Sequence, residues 1–170
     1  SIPLEIYGFK LTWSAFSFPL VVLAIDLTIR VLGKSIARVP ITLSYPLAII
    51  SSIVVLLIEG STESVAFRIG FASATAYGVS TLLDVYLFQI MRERYNAWWI
   101  APSISTIFAN IIDTYVFFFS AFSNSSDQYM ADNWLEISAT QSIIKIIIGL
   151  LLFLPFYGVL LNFILKKFKK

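Results

Sequence analysis

Residues 17–30 read SFPLVVLAIDLTIR, a run apolar enough to lie in lipid that nevertheless carries Asp26 and Arg30. The two charged residues are four positions apart, so on a helix they lie one turn apart on the same face. Charges inside a membrane helix are costly, and they usually face the interior of a bundle or a wet cavity. The stretch therefore predicts a membrane helix in which this pair forms either a functional site or an interhelical ion pair.

The composition extends this interpretation to the whole chain. Of its 170 residues, 58% are hydrophobic and 13% are charged, and the mean hydropathy is +0.85. Soluble domains are nearer half apolar and a quarter charged, so we predict an all-α integral membrane protein in contact with the lipid bilayer. A net charge of +2 is too small to indicate a nucleic-acid partner.

The residues that enzymes and metal centres use most often are absent from the sequence. It has no Cys and no His, which excludes disulfides, thiolate chemistry, Cys/His zinc sites and a His general base. It also lacks a phosphate-binding loop of the G-x-x-x-x-G-K-[ST] type. We therefore expect that the protein is not an enzyme and uses no cofactor or metal.

Apolar segments divide residues 1–170, a single transmembrane domain, into five predicted membrane helices. Each segment approaches or exceeds the roughly 20 residues that cross a bilayer. The predicted helices cover residues 12–33, 41–58, 65–90, 98–122 and 141–165. Residues 1–11 are predicted to be an interfacial lead-in, and residues 123–140 a polar outer loop in which MADNWLEI is a candidate short interfacial helix.

Basic residues occur in alternate connections, and this alternation predicts the topology. Turns 34–40 and 91–97 and the C-terminal tail are basic, whereas connections 59–64 and 123–140 contain no Lys or Arg. We therefore predict that the basic connections and the C-terminus face the cytoplasm and that residue 1 lies outside. An outside N-terminus is easiest to explain if one more helix precedes Ser1, which gives six helices in the intact protein.

Six ionisable residues fall within the predicted spans, three acidic and three basic, so they can neutralise one another. They are Asp26, Arg30, Arg68, Asp84, Asp113 and Lys145. Arg68 is a weaker candidate, because it lies on a different face from the polar residues of its helix. Lys145 lies near the outer end of its helix, where it either joins a buried site or extends to the interface.

The predicted helix 98–122 has the most informative polar face. At about 100° per residue, its polar side chains and one aromatic ring share an arc of roughly 100°. These residues are Ser103, Thr106, Asn110, Asp113, Thr114 and Phe117. Near mid-membrane, the carboxylate of Asp113 and the amide of Asn110 suit a polar, planar ligand, and Phe117 is either a stacking surface or packing. Spacing alone also leaves open a small cation or a proton relay through the same acids.

Six short motifs occur in order along the chain: DLTIR at 26–30, RIGFAS at 68–73, LLD at 82–84, WWIAP at 98–102, FANIIDTYVFFF at 108–119 and LPFYGVLLN at 154–162. Together they resemble the bacterial queuosine precursor transporter family of the vitamin uptake transporter group. The resemblance extends from about Gly8 to Phe168. It implies a six-helix inner-membrane importer of 7-deazaguanines, typically the 7-cyano and 7-aminomethyl precursors of the modified tRNA base queuosine.

The resemblance also implies which residues form the site. The candidates are Asp26, Arg30, Asn110 and Asp113, followed by Arg68, Asp84 and Lys145. We predict a secondary importer that holds its substrate at mid-membrane between aromatic rings, with Asp26 and Arg30 as a gate or coupling pair. Two alternatives stay open: a substrate-binding subunit that docks to a separate energising module, and a structural membrane protein whose charges only join helices. A homo-oligomer is compatible with all three.

Overall fold

The described part of the chain consists almost entirely of long helices, as predicted. The computed structural model describes the backbone of residues 4–6, 9–11 and 14–168, and side chains from Val21 to Lys166 except those at 23, 34, 37, 38, 40 and 41. Helices α1 to α6 are Ser14–Leu32, Lys34–Ile58, Glu63–Arg94, Ile100–Phe122, Gln128–Ile148 and Leu154–Phe168. A π-helical turn, Gly149–Phe153, joins α5 to α6 without a break.

A short β-hairpin near the start is the exception to the helical fold. Strands β1 (Leu4–Ile6) and β2 (Phe9–Leu11) pair antiparallel, with Leu4 opposite Leu11. In each strand a charged residue lies between two apolar ones, which is the alternation that a strand favours. The predicted lead-in over residues 1–11 therefore contains a hairpin that we did not expect.

The predicted basic turn 34–40 is wrong, because α2 already begins at Lys34. Helices α1 and α2 meet at Gly33, whose φ of 89° lies in the left-handed region that glycine adopts without steric cost. A single residue thus reverses the chain where a longer turn was expected. The side chains of Lys34 and Arg38, the basic residues of that turn, lie outside the described residues.

Helix α3 is longer than the predicted helix 65–90 at both ends. It has 32 residues, from Glu63 to Arg94, and this corresponds to about 48 Å at 1.5 Å per residue. Most of the predicted turn 91–97 is therefore the last turn of the helix. The hydrocarbon core of a bilayer is about 30 Å thick, so a helix of this length extends beyond it.

The predicted outer loop 123–140 is wrong over most of its length, although its candidate short helix MADNWLEI is indeed helical, as part of a longer helix. Helix α5 begins at Gln128, where Asp127 caps the helix: its Oδ1 accepts a 3.1 Å hydrogen bond from the backbone N–H of Met130. From there the helix continues without a break into the predicted helix 141–165. The polar residues of this region lie on a helical extension, so their polar composition did not indicate a loop correctly.

Small side chains make many of the contacts between helices. Helix α3 packs most extensively against α4 and also against α2, and α4 packs against α5. The buried residues of α3 include Ala66, Gly70, Ala72, Ala74, Ala76 and Ser80. Large apolar side chains point outward instead, among them Leu43, Leu47, Leu151, Val159 and Phe163. Close packing through small residues with large apolar residues outside is typical of helices that face lipid.

Two continuous helices in the described region are long and apolar enough to cross a membrane. They are Ile100–Phe122 and Gln128–Lys166, and a shorter apolar helix covers Thr42–Ile58. The first of them agrees with the predicted helix 98–122 to within two residues. Helix α3 is also long enough, but Arg68 and its many Gly, Ser and Thr residues lower its hydropathy.

Candidate functional site

An ion pair joins α4 to α5 inside the helix bundle. Nζ of Lys145 lies 2.9 Å from Oδ2 of Asp113, and the two residues are 5% and 8% exposed. Pairing with hydrogen bonding is the form in which buried charges are tolerated. The structure therefore brings two of the predicted residues together, and Lys145 belongs to this buried site.

Further buried polar groups lie on α3, α4 and α5. Ser80 of α3 lies beside the carboxylate of Asp113. The buried hydroxyl groups of Thr114 and Ser142 have no hydrogen-bond partner among the described residues. Sequence reasoning missed Ser142, although it lies three residues before Lys145 and therefore on the same helix face.

Asn110 is fully buried on the face of α4 that meets the π-helical turn. Its Nδ2 donates a 2.8 Å hydrogen bond to the carbonyl oxygen of Thr106, and its Oδ1 has no partner in the described part of the chain. Opposite these residues is Gly149, where a Cβ atom would lie 3.8 Å from Nδ2 of Asn110 and 2.9 Å from Cγ2 of Thr106. Only a residue without a side chain allows this close approach, and Asn110 keeps an unused acceptor beside it.

A small cavity of about 10 Å³ lies next to this contact. It is lined by Asp26, Pro102, Thr106, Gly149, Phe153, Leu154 and Tyr157. Such a volume matches about one water molecule, whereas sites for small organic ligands have about 300–1,000 Å³. The helices must separate before a two-ring molecule can reach the polar groups.

The neighbours of Asp26 differ from those expected. Its Oδ2 accepts a 3.5 Å hydrogen bond from Oγ of Ser105 on α4, and the carboxyl group of Asp84 on α3 lies beside it. Asp26 and Asp84 are both almost fully buried. Two predicted residues from different helices thus come together as an acidic pair, and Ser105 is a contact that the predicted polar arc of α4 does not include.

Arg30 lies one turn from Asp26 on α1, as predicted, but hydrogen-bonds to other groups. Its Nη1 donates to the backbone carbonyl of Trp98 at 3.2 Å and to the hydroxyl of Tyr157 at 3.4 Å. The rings of Trp98 and Tyr157 stack with centroids 6.4 Å apart and an interplanar angle of 17°. Arg30 therefore links α1, the start of α4 and α6 at one end of the bundle.

Arg68 lies away from the buried polar groups, at the end of α4. Its guanidinium group donates to the carbonyl oxygens of Ser120 and Asn124, each at 3.3 Å, and also to that of Ser123. The last carbonyls of a helix lack partners within the helix and carry its negative dipole end. The contacts of Arg68 are those of a residue that caps a helix C-terminus.

Phe117 is part of an aromatic cluster on α4. Its ring meets those of Phe118 and Phe122 edge-on, with centroids 5.2 and 6.0 Å apart. Its role as a stacking surface for a ligand stays a prediction. The aromatic rings that line the small cavity are those of Phe153 and Tyr157.

Comparisons with known proteins agree with the resemblance seen in the motifs. Residues 12–160 match the family described as "Putative vitamin uptake transporter". The chain is 41% identical to the queuosine precursor transporter of Escherichia coli (strain K12), over 98% of this chain and 80% of that protein. It is 39% identical to the "Probable queuosine precursor transporter" of Haemophilus influenzae, over 95% of this chain and 73% of that protein. No solved structure matches the chain significantly.

The family match covers most of the chain, and both relatives align with nearly all of it. The family consists of transporters and not of enzymes, so the outward-facing apolar side chains are those of a membrane protein. On these findings the chain belongs to the queuosine precursor transporter family, within the vitamin uptake transporters.

Proposed function

We propose that this protein imports 7-deazaguanine precursors of queuosine, the 7-cyano and 7-aminomethyl forms, across the bacterial inner membrane. The names of its relatives support this substrate class. The observation that carries the proposal is a polar centre of Asp113, Lys145 and Asn110, buried within a bundle whose outer surface is apolar. Ionisable groups at such positions mark substrate pathways in membrane proteins.

The chemistry of Asp113 and Asn110 matches the polar edge of a guanine-like base. A carboxylate can accept two parallel N–H bonds, and an amide offers both a donor and an acceptor. One oxygen of Asp113 is bonded to Lys145, and Oδ1 of Asn110 has no donor among the described residues. A substrate that supplies N–H groups can therefore bind both side chains, with the rings of Phe153 and Tyr157 as stacking surfaces.

The small cavity supports a closed conformation that opens during transport. At about 10 Å³ it cannot contain the substrate, so α4 and the π-helical turn at Gly149 must move apart. π-Helical turns occur frequently at functional sites, and the contact at Gly149 is close enough to be sensitive to such movement. Arg30, Trp98 and Tyr157 form a gate at one end of the bundle.

The end with this gate is proposed to face the cytoplasm, together with the C-terminus. Arg92 and Arg94 lie in the last turn of α3. Nη1 of Arg92 donates a 3.2 Å hydrogen bond to the carbonyl oxygen of Ile29, near the end of α1. Basic residues therefore collect where α1 and α3 end and α4 begins. The excess of Lys and Arg on cytoplasmic connections supports this orientation.

A purely structural role accounts for only some of the charged residues on the helices. Arg68 and Arg92 donate to carbonyls near helix ends, and this is a capping role. Asp113 and Lys145 instead pair between two helical segments that continue past them in both directions. We therefore keep this pair in the proposed site and leave the two arginines out of it.

The proposal is tested with Asn110→Leu in cells that cannot synthesise queuosine. The cells express the full-length protein or the variant, receive 7-cyano-7-deazaguanine, and are assayed for queuosine in tRNA. We expect about a tenfold lower initial rate of queuosine formation from the variant, because a substrate N–H is left without its acceptor.

Asn133→Leu is the matched control. Nδ2 of Asn133 donates to the carbonyl of Tyr129 at 2.9 Å, the same contact one turn back that Asn110 makes with Thr106. Asn133 is on the accessible start of α5, so its replacement is expected to leave import unchanged. Equal rates for Asn110→Leu and the natural protein remove Asn110 from the site, and no queuosine from the natural protein overturns the importer.

A further inference from the structure

Two buried carboxyl groups meet between α1 and α3, apart from the Asp113–Lys145 ion pair. Asp26 is 1% exposed and Asp84 is 0% exposed, and the carboxyl groups lie close enough for a shared hydrogen bond. Asp26 also lines the small cavity beside Thr106 and Gly149. The acidic pair thus borders the proposed substrate site through Asp26, whereas Asp84 does not line the cavity.

The acidic pair has almost no hydrogen-bond donors. Oδ2 of Asp26 accepts from Oγ of Ser105 at 3.5 Å, which is longer than an ordinary hydrogen bond between oxygens. Oδ1 of Asp26 and both carboxyl oxygens of Asp84 have no donor among the residues that the structure describes. Buried carboxylates normally accept several hydrogen bonds, so this pair lacks the partners that two negative charges require.

The nearby cations are engaged by other groups. Arg30 donates to Trp98 and Tyr157, and Arg92 donates to the carbonyl of Ile29. The phenol of Tyr157 is the titratable group that faces Asp26 from α6.

The remaining helices add no cation beside the pair in the described region. Helix α4 contributes the neutral Ser105, and Lys145 of α5 is bonded to Asp113. On α2, the ring of Tyr45 lies against Gly78 of α3.

We propose that Asp26 and Asp84 form a proton-binding site that couples substrate import to inward proton movement. One proton enters from outside, is held between the two carboxyl groups, and leaves to the cytoplasm as the substrate is released. No bond of the substrate changes. The inference rests on the proposed function and adds its energy source.

Electrostatics and geometry favour a proton over a metal cation. Two ionised carboxylates side by side in a desolvated site repel each other strongly, and one shared proton both removes the repulsion and supplies an O–H donor. Hard metal cations take about six to eight oxygen ligands. Only two carboxyl groups and one hydroxyl converge here, and no group of three or more acidic side chains suited to a metal is found within the described ranges.

The test uses the full-length protein in liposomes and labelled 7-cyano-7-deazaguanine, which is uncharged. Exchange against internal unlabelled compound, without a gradient, measures transport alone. Accumulation under an inward pH gradient, with the membrane potential clamped, measures coupling. For one proton per substrate, a gradient of one pH unit is expected to give about tenfold accumulation.

Asp84→Asn is expected to retain exchange and lose accumulation, because the amide cannot bind and release the proton. Asp132→Asn, on the exposed start of α5, is the control that keeps both. If Asp84→Asn does not reach the membrane, Asp84→Ser replaces it, with the same result expected.

Each other outcome is decisive. Exchange by the natural protein without accumulation under a pH gradient, or accumulation with a sodium gradient alone, overturns the proton site and leaves the importer intact. Accumulation by the variant, or loss of its exchange at normal expression, also overturns the inference. No exchange by the natural protein counts against the proposed function itself.

Discussion

Lys145 and Asp113 form a 2.9 Å ion pair between α5 and α4, and both residues are almost entirely shielded from solvent. The pair is the firmest interhelical polar contact of the site, and its two members play different parts in the proposal. In that proposal the carboxylate of Asp113 binds the substrate, and the ammonium group of Lys145 holds that carboxylate in place. The structural and the binding role of one contact can be separated by comparing single and double substitutions.

Removing one member of this pair is expected to destabilise the protein. Lys145→Met leaves a buried carboxylate unpaired, and Asp113→Asn leaves a buried ammonium group, at a cost of about 3–5 kcal/mol. For a chain of this length the cost corresponds to a melting temperature lower by about 6–20 °C. Thermal unfolding in detergent measures it.

The double variant Asp113→Asn with Lys145→Met separates the two roles. Because it leaves no unpaired charge, we expect most of the stability to return, while import stays at least about tenfold below the natural rate. Import at the natural rate by a stable double variant contradicts the proposed site. In that case the ion pair only holds α4 and α5 together.

Arg68 is expected to matter for stability and not for substrate binding. Arg68→Met removes the donors to the last carbonyls of α4, at a cost of about 1–2 kcal/mol. Import per folded molecule and the KM for 7-cyano-7-deazaguanine are expected to be unchanged. Arg94→Met, on the exposed last turn of the same helix, is the control. A raised KM for Arg68→Met shows instead that Arg68 takes part in substrate binding.

The helix that carries the site could be predicted closely from the sequence. Its apolar run and polar arc contain all the information needed, and the predicted helix 98–122 differs from Ile100–Phe122 by two residues. The helix boundaries at Gly33 and Asp127 were harder to predict from the sequence. At Gly33 a single residue reverses the chain, and at Asp127 a capped helix begins, although the residues around both positions are polar. Composition alone therefore indicated longer turns.

Partners of the charged residues were harder to predict, because spacing along one helix says nothing about neighbouring helices. Asp26 and Arg30 do lie one turn apart, yet Asp26 meets Asp84 and Ser105 while Arg30 bonds to other groups. The helical period places residues on a face, but only packing determines which faces meet. The acidic pair is therefore a finding of the structure alone.

The gate that we propose at Arg30 can be tested with an introduced cysteine, since residues 1–170 contain none. In Thr106→Cys the thiol lies beside the small cavity, so a membrane-impermeant maleimide is expected to react slowly from the cytoplasmic side. Adding Arg30→Met removes the hydrogen bonds to Trp98 and Tyr157. Labelling in inside-out vesicles is then expected to be several times faster, because the closed state loses about 1–3 kcal/mol. Tyr95→Cys, exposed between α3 and α4 at the same end of the bundle as Arg30, is the fast-reacting reference, and an unchanged labelling rate rules out a gate at Arg30.

The approach of the π-helical turn to α4 depends on the missing side chain at Gly149. In Gly149→Ala the new Cβ would lie 2.9 Å from Cγ2 of Thr106. Threonine is stiff at χ1, so the helices must shift apart, at a cost of about 1–3 kcal/mol. We expect several-fold slower import, since the closed conformation no longer forms fully.

Thr106→Ser removes the methyl group that the new Cβ would meet and keeps the hydroxyl. Combined with Gly149→Ala it is expected to restore both the melting temperature and most of the import rate, whereas alone it has little effect on either. Rescue of this kind cannot come from a general loss of stability, because it needs the two side chains to meet. If the double variant imports no faster than Gly149→Ala, the contact between Gly149 and Thr106 is not what the π-helical turn contributes to transport.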